Sequence, residues 1–229
     1  MNTRIRGAGV AQEQEAVRRG RPPVSEQGRR RQQLEISREA VRLFQTHGIA
    51  NTSGAEIARA CGVSERTLWR LFRTKESCVE PLLTQALDGF RAVLRSWPPG
   101  VELAEHLRAA YTFVPESSPA DMDAVLAVVR MTHDVPALRA VWLVLQEHAE
   151  PTIAEVLGPR TGLPAGAPEV RVLAATVNAA LRVVTDDFAW AAVDGVTPRD
   201  IDRHRRRLAE TLRAATRVPA PPPSPPRTE

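Results

Sequence analysis

The sequence predicts an all-α fold of about nine helices, in which a small N-terminal unit of three helices precedes a larger helical C-terminal domain. Apolar residues recur at spacings of three and four along most of the chain, and no segment shows the strict alternation of a half-buried strand. Breaks such as Gly48 and the run Pro98-Pro99-Gly100 divide this pattern into segments of helical length. With 229 residues, the chain is long enough to bury a substantial core.

The N-terminal unit is predicted from residues 52–75, which favour two short helices joined by a tight turn. Ile57 and Ala58 give the first of these helices an apolar face. Gly62 lies just past its end, where the backbone commonly takes a positive φ. Ser64 then offers a hydroxyl that can cap the next helix. These features together predict a helix-turn-helix, preceded by a longer helix from about Arg31 to Thr46.

The second helix of this motif has one apolar and one polar side. Leu68, Leu71 and Phe72 repeat at helical spacing and form the side expected to be buried. The opposite side carries donors, acceptors and one flat ring, on Glu65, Arg66, Thr67, Trp69 and Arg70. A short capped helix of this kind fits the major groove of DNA.

Charge is distributed unevenly along the chain, whose formal net charge is +4. Residues 1–80 hold 15 Arg and Lys against 9 Glu, whereas the remaining 149 residues hold 16 basic against 18 acidic residues. Positive charge is therefore concentrated at the end that carries the helix-turn-helix, as expected of a phosphate-binding surface.

The composition excludes several other classes of protein. A content of 43% apolar and 25% charged residues is typical of a soluble globular domain. No apolar run approaches the roughly 20 residues that span a bilayer, so we expect a cytoplasmic protein with no membrane partner. Cys61 and Cys78 lack the spacing of metal ligands, and we expect small apolar fillers rather than a metal or cofactor site.

The sequence divides into four regions. Residues 1–28 are expected to form a disordered basic arm that either follows DNA phosphates or only aids solubility. Residues 29–76 are expected to form the DNA-binding domain and residues 77–217 a helical regulatory and dimerisation domain. Residues 218–229 are Pro-rich and are expected to be disordered.

Prolines set most of the predicted boundaries in the C-terminal domain. Pro81 predicts a kink or a late start in a helix that otherwise runs from Val79 to Trp97. Asp134 and Pro136 are expected to open a later helix, and Pro151 either bends that helix or starts another. A loop is expected at residues 158–168. The remaining helices are expected near residues 103–114, 125–133, 169–193 and from Pro198 onwards, where Thr197 and Asp200 provide start signals.

Residues 43–76, LFQTHGIANTSGAEIARACGVSERTLWRLFRTKE, resemble the DNA-binding domain of the TetR (tetracycline-repressor) family of bacterial transcriptional regulators. The positions that match the family pattern are Leu43-Phe44, Gly48, Thr52, Ile57-Ala58, Gly62-Val63-Ser64, Thr67-Leu68, Phe72 and Lys75-Glu76. The resemblance covers about residues 30–90. It implies a homodimer that represses transcription by binding a palindromic double-stranded DNA operator and that is released by an unidentified small-molecule effector.

The residues and the resemblance together give a predicted DNA-binding set. Arg66 can form a bidentate contact to guanine, and Glu65 either accepts from cytosine or only complements the helix dipole. The resemblance implies that Trp69 donates to a phosphate. Leu71 departs from the family pattern, in which a His or Tyr at this position contacts the DNA backbone, so Arg70 or Arg73 would supply that contact instead. The complete set is Thr52, Ser64, Glu65, Arg66, Thr67, Trp69, Arg70 and Lys75.

The resemblance also implies an effector pocket and a dimer interface in the C-terminal half. The candidate residues lining a pocket for an apolar or amphipathic ligand are Trp97, Phe113, Met131, His133 and Trp142. Residues of these types are more often plain core than pocket lining. The helix expected at residues 169–193 is apolar around much of its circumference, which indicates burial on two sides. The predicted dimer interface is Val177, Ala180, Leu181, Val184, Leu208 and Leu212.

Two other functions remain as alternatives at this point. An enzyme is disfavoured, because neighbouring acidic or acid–base residues such as Asp121 and Asp123, or His133 and Asp134, point apart on a helix. We therefore predict no catalytic residues. A ligand-independent or architectural DNA-binding protein is the other alternative, and a ligand-sized cavity would separate a sensor from it.

Overall fold

The computed structural model describes residues 25–111 and 119–216, and within these ranges the chain forms ten α-helices and no strand. The all-α prediction is therefore confirmed. The helices are α1 Glu26–His47, α2 Gly54–Ala60, α3 Glu65–Leu71, α4 Glu80–Arg95, α5 Leu103–Ala110, α6 Pro119–Met131, α7 Pro136–Glu147, α8 Glu150–Thr161, α9 Pro168–Ala191 and α10 Pro198–Thr216. Predictions for residues 1–24, for Phe113 and for residues 218–229 lie outside the described residues.

Helix α1 begins at Glu26, five residues before the predicted start at Arg31. The Ser25 hydroxyl accepts a hydrogen bond from the Gly28 amide, and Glu26 places a carboxylate in the first turn. Both features stabilise a helix start. Residues 26–28 thus belong to the helix and not to the expected arm.

The N-terminal unit and the C-terminal domain share one continuous hydrophobic core. Ile36 and Phe44 of α1 pack with Ile57 of α2 and Leu68 of α3, and all four side chains are buried. The same cluster continues through α4 into the helices of the C-terminal domain. The three-helix unit is therefore not a separately packed domain, because its hydrophobic core is continuous with that of the body of the protein.

Two prolines start helices where the sequence predicted a break or a start. A 3-10 turn at Glu76–Val79 precedes α4, and Pro81 lies in the first turn of that helix, which is the predicted late start. Pro151 likewise lies in the first turn of α8, so it begins a new helix. Proline is tolerated there because the first amides of a helix have no intrahelical acceptor.

Two predicted boundaries are wrong. Helix α7 is preceded by Val135 with no side-chain cap, so Asp134 does not cap it. Helix α8 continues through Pro159 to Thr161, and the loop expected from residue 158 begins only at Gly162, whose φ is 71°. Pro159 lies in the last turn, where it removes one backbone hydrogen bond without interrupting a longer helix.

The last two helices pack together at the C-terminal end of the described chain. Helix α9 lies against α8 and α10, and α10 also packs against α5. The predicted start of α10 is confirmed, since the Asp200 amide donates to Thr197 Oγ1 at 3.3 Å and the Thr197 amide donates to Asp200 Oδ2 at 3.1 Å. Among the helices described, none is long and apolar enough to cross a membrane.

An ion pair joins the N-terminal unit to the C-terminal domain. Arg38 of α1 donates to both carboxylate oxygens of Asp121 in α6, at 2.6 and 2.7 Å. Asp121 is only 1% exposed. A bidentate contact of this kind fixes the relative orientation of two groups more strictly than a single hydrogen bond.

His204 lies in an aromatic cluster between α9, α10 and the end of α5. Its ring stacks on Phe188 with centroids 4.6 Å apart, and Tyr111 lies at 5.8 Å. Burial lowers the pKa of His204 to about 4, although a hydrogen bond with the Val184 backbone acts in the opposite direction. The folded protein therefore holds this imidazole in its neutral form at neutral pH.

The His204→Phe variant is expected to show a weaker acid dependence of stability. Because the folded-state pKa lies below the ordinary value near 6.5, the unfolded chain takes up the proton first. The neutral histidine contributes about 2–3 kcal/mol to the free energy of unfolding above about pH 6.5, and this contribution is lost as the pH falls towards 4. Urea unfolding at pH 7 and pH 4.5 measures the difference. The exposed-histidine variant His47→Phe should keep the wild-type dependence, and equal dependence in all three proteins would refute this assignment.

Candidate nucleic-acid interface

The turn between α2 and α3 is built by local capping. Gly62 has a φ of 64°, and the Val63 amide donates to the Ala58 carbonyl at 2.9 Å. Ser64 caps α3, since its hydroxyl accepts from the Thr67 amide at 3.2 Å and lies 2.9 Å from Thr67 Oγ1. The Ser64 and Thr67 hydroxyls are therefore committed to each other and to the helix start. Any contact they make to a ligand would be in addition to that role.

Helix α3 is held to the protein along one side only. Leu68 is fully buried, Phe72 directly after the helix is buried, and Leu71 is half-buried. The residues of the opposite side that are exposed to solvent are Glu65, Arg66, Trp69 and Arg70. This arrangement agrees with the predicted division of the helix into a buried and a polar side.

The arginines around α3 differ in their partners from those of α1. Arg30 and Arg42 pair with Glu26 and Glu39 on their own helix. Within the part of the chain that the structure describes, no carboxylate lies within ion-pairing distance of the exposed guanidinium groups of Arg59, Arg66, Arg70 and Arg73. Their charge is thus available to an external anion such as a phosphate.

Trp69 lies across the start of α2, directly over Gly54. A Cβ atom built on Gly54 would lie 2.0 Å from Trp69 Cζ2 and 2.4 Å from Cη2, far inside contact distance. Any larger residue at position 54 would therefore displace the indole. Sequence reasoning missed this role, and the signal that could have revealed it is a glycine at the first position of a helix with a strong cap.

Thr52 and Lys75, which belong to the predicted DNA-binding set, make hydrogen bonds within the protein. The Thr52 side chain is buried, and its hydroxyl donates to the Gly48 carbonyl at 2.9 Å. Lys75 Nζ donates to the carbonyls of Ile49 at 2.6 Å and Thr52 at 2.9 Å. Both side chains hold the loop between α1 and α2, because its carbonyls have no helical partners.

Ser53 is the exposed hydroxyl at this end of α2, and it was absent from the predicted set. Its hydroxyl accepts from the Glu56 amide at 3.2 Å, and its own amide donates to Glu56 Oε2 at 2.8 Å. These two bonds form a capping box. They lower the pKa of Glu56, chiefly through the Ser53 backbone hydrogen bond. The cap fixes the end of α2 on which Trp69 rests.

The predicted pocket residues do not meet in one cavity. Trp97 donates to the Val101 carbonyl at 2.7 Å, and the Arg160 guanidinium lies 4.0 Å from its ring. His133 is exposed and meets Trp190 edge-on at 5.3 Å. Met131 is half-buried and Trp142 is buried. Helical spacing identified apolar and aromatic positions correctly, but it could not say which of them share a neighbour.

A cleft of about 390 Å³ lies between α7, α8 and α9. Its lining includes three carboxylates and one guanidinium, on Glu147, Glu150, Glu155 and Arg171. Glu150 Oε1 accepts at 3.1 Å from Asn178 Nδ2, which also donates to the Gln146 carbonyl at 2.8 Å. The cleft therefore borders a polar contact between α7 and α9 in the domain interior.

The predicted dimer residues are buried within a single subunit, which leaves little of their surface for an interface. Exposure is 6% or less for each of Val177, Ala180, Leu181, Val184, Leu208 and Leu212. Their side of α9 is covered by the neighbouring helices of the same chain. The large apolar side chains that α9 leaves exposed are Val172, Val183 and Trp190.

Three of the aspartates that neighbour other acidic residues in the sequence take part in ion pairs. Asp121 binds Arg38, Asp187 lies 3.0 Å from Arg207, and Asp186 lies 3.7 Å from Arg139. Burial raises the pKa of Cys61 to about 11 and that of Cys78 to about 12, so neither thiol is an activated nucleophile. No group of side chains suited to a metal ion occurs among the described residues.

The sequence of this chain is similar to that of known bacterial regulators. Residues 36–82 match the model of bacterial regulatory proteins of the tetR family, and residues 101–213 match the MftR C-terminal domain model. The transcriptional regulator TcmR of Streptomyces glaucescens is 27% identical over 148 residues, which span 62% of this chain and 66% of TcmR. MftR of Mycobacterium tuberculosis, named as a mycofactocin biosynthesis regulator, is 27% identical over 143 residues, spanning 62% of this chain and 72% of MftR.

A solved structure extends the similarity over nearly the whole described chain. Thermus thermophilus FadR, a TetR-family transcriptional repressor in complex with lauroyl-CoA, is 25% identical with a TM-score of 0.52. The superposition covers 83% of this chain and 99% of FadR. The matched models account for both the helix-turn-helix and the helical body. This chain belongs to the TetR family of bacterial transcriptional regulators, and it is a regulator rather than an enzyme.

Proposed function

We propose that the protein binds an inverted-repeat DNA operator as a homodimer, represses transcription there, and is released when a small molecule binds the C-terminal domain. The observation that carries the proposal is the exposed side of α3, where the guanidinium groups of Arg66 and Arg70 have no carboxylate partner among the described residues. Such a regulator acts in the bacterial cytoplasm, where its operator lies.

The exposed side of α3 matches the chemistry of a major groove. A helix with its side chains is about 10–12 Å across, which matches the width of that groove, and the seven residues of α3 extend for about 10 Å along their axis. Arg66 lies near the N-terminal end of α3, where it would donate to guanine O6 and N7, and Glu65 would accept from cytosine N4. Arg59, Arg70 and Arg73 would bind phosphates and fix the position of the helix.

The indole of Trp69 would add a phosphate contact between α2 and α3. Its ring rests on Gly54 and is 43% exposed, so it spans the two helices at the protein surface. The indole nitrogen carries a hydrogen that can be donated to a phosphate oxygen. This contact would take the place that was predicted for Thr52 and Lys75.

Dimerisation would use the exposed stripe of α9. Val172, Ala179, Val183 and Trp190 are exposed, and their spacings of seven, four and seven residues place them on one line along the helix. An apolar stripe of this length on a monomer is typical of a protein interface. A two-fold dimer through it would present two copies of α3 to the two halves of an inverted repeat.

Effector release is supported by a cleft in the C-terminal domain, by a solved relative with a bound small molecule, and by a link between the body and the N-terminal unit. The cleft of about 390 Å³ between α7, α8 and α9 is large enough for a small molecule, which favours a sensor over a ligand-independent DNA-binding protein. FadR was solved with lauroyl-CoA, so binding of a small molecule has a precedent in this fold. Because Arg38 links α1 to α6, a shift of the body would move the N-terminal unit.

Selection of bound duplexes from a random DNA pool should recover an inverted repeat for the wild-type protein. The Arg66→Ala variant should bind that site about 1–3 kcal/mol more weakly and lose preference at one position of each half-site. The Arg95→Ala variant removes an exposed arginine of α4 and should behave as wild type. Salt-sensitive retention of DNA without any enriched sequence would contradict sequence-specific binding. If Arg66→Ala loses equal affinity for cognate and scrambled DNA, Arg66 contacts only a phosphate.

The Val183→Glu variant should be monomeric and should bind the operator weakly. A two-fold interface would bury two unpaired carboxylates, which costs about 3–5 kcal/mol and raises the dimer dissociation constant more than a hundredfold. Light scattering at micromolar concentration measures the mass. Leu163→Glu changes an equally exposed apolar residue in the loop after α8 and should leave the dimer intact. A dimer mass for Val183→Glu would exclude the stripe as the interface.

The Gly54→Ala variant should lower operator affinity by about 1 kcal/mol without unfolding the protein, because the added Cβ displaces the Trp69 indole. Trp69→Phe should cause a similar loss through removal of the indole N–H. Fluorescence anisotropy with labelled operator measures both variants and the double variant. If Gly54 acts by positioning Trp69, the double variant should be no weaker than either single variant. Additive losses would show that the two residues act independently.

A further inference from the structure

Three buried polar side chains lie on α7 and α9, which Asn178 connects. Trp142, Gln146 and Asn178 are 2%, 3% and 4% exposed, respectively. Four of their polar atoms have no hydrogen-bond partner within the described chain, namely Trp142 Nε1, both amide atoms of Gln146 and Asn178 Oδ1. Buried polar atoms in proteins are nearly always paired, so four in one group indicate a site that a polar ligand completes.

The three side chains are neighbours across two helices. Trp142 and Gln146 are one turn apart on the same face of α7. Asn178 of α9 reaches this turn, because its Nδ2 donates to the Gln146 carbonyl at 2.8 Å and to Glu150 Oε1 at 3.1 Å. Both partners are acceptors, which fixes the orientation of the Asn178 amide and leaves its Oδ1 as a free acceptor.

The group therefore presents a defined set of donors and acceptors. Trp142 offers one N–H donor and Asn178 offers one carbonyl acceptor. Gln146 offers a donor and an acceptor side by side, with neither engaged. The complementary ligand group has an acceptor next to a donor, as in a carboxamide or a lactam.

The cleft of about 390 Å³ lies beside this group. Glu150 is common to both, since it lines the cleft and accepts from Asn178. Ala174 also lines the cleft and precedes Asn178 by one turn of α9. Three carboxylates against one guanidinium make the mouth acidic, so it repels anionic ligands.

We propose that Trp142, Gln146 and Asn178 form an effector subsite for a small uncharged ligand of the carboxamide or lactam type. The Trp142 indole and the Gln146 Nε2 donate to the ligand carbonyl. The ligand N–H donates to Asn178 Oδ1 or to Gln146 Oε1. The inference rests on the proposed function, because it specifies which molecules would release the protein from DNA.

The subsite lies close to a contact that leads towards the DNA-binding unit. His148, two residues after Gln146, accepts a hydrogen bond through its carbonyl from Arg91 Nη2 of α4 at 3.0 Å. Helix α7 also packs against α4 and against the 3-10 turn at Glu76–Val79. A ligand that moves the end of α7 would thus act on the helix that follows the helix-turn-helix.

Binding is tested by titrating full-length ¹⁵N-labelled protein with benzamide and with 2-piperidone while following the Trp142 indole N–H resonance. This resonance is identified by its loss in the Trp142→Phe variant. Both amides should shift it in a saturable manner, whereas benzoate and toluene should bind at least tenfold more weakly. The proposal is overturned if benzoate shifts the resonance equally. It is also overturned if neither amide shifts it at about 10 mM, a concentration sufficient for ligands of this size.

Two variants separate a binding role from a structural one. Gln146→Met keeps the side-chain volume and removes two unpaired polar atoms, so it should raise the Tm by about 2–4 °C and abolish amide binding. Thr132→Val is the matched control, because the buried Thr132 hydroxyl already donates to the Val129 carbonyl at 2.7 Å. It should leave amide binding unchanged. Retained benzamide binding in Gln146→Met would refute the assignment.

The titration contains no DNA, so its outcome is independent of the proposed function. If operator selection recovers an inverted repeat but the amides do not bind, only the subsite is rejected. Amide binding by a protein that enriches no DNA sequence would reject the regulatory role and retain the binding site.

Discussion

A buried carboxylate near the start of α6 and a guanidinium from α1 bind each other through two parallel hydrogen bonds. Asp121 is almost completely shielded from water, so it depends on Arg38 for its counter-charge. Removing one partner of such a pair leaves a buried charge uncompensated, which costs about 3–5 kcal/mol. The orientation of the N-terminal unit on the body follows from this pair together with the continuous core beneath it. Movement of α6 and movement of α1 are consequently coupled.

Within the N-terminal unit, polar side chains bind backbone carbonyls and amides in the loop and at the helix starts. Lys75 bridges two carbonyls of the loop between α1 and α2, and Thr52 binds a third. Ser53 and Ser64 cap the two helices of the motif. The guanidinium groups of Arg66 and Arg70 take part in none of these bonds, because other side chains bind the backbone. A preorganised frame of this kind reduces the ordering cost of binding.

The sequence was sufficient to predict the helix-turn-helix because its determinants are local. Gly62, Ser64 and the spacing of Leu68 and Phe72 act within a few residues of one another, and the predicted turn and cap are present. The internal hydrogen bonds of Thr52 and Lys75 were not predicted, because their partners lie in a loop whose path depends on tertiary structure. The buried residues of α9 were assigned to an interface because periodicity shows that a helix is apolar on several sides. It cannot show which side its own chain covers.

Helix α3 has an uncommon freedom for an element of a folded domain. Of its seven residues only Leu68 is fully buried, while its cap and the following Phe72 lie outside the helix itself. Exposed positions usually tolerate substitution within about 0.5 kcal/mol of folding free energy. Duplicated genes for this chain can therefore diverge in operator preference one residue at a time, without first acquiring stabilising changes elsewhere. New regulatory circuits can arise from this scaffold while the helical body stays as it is.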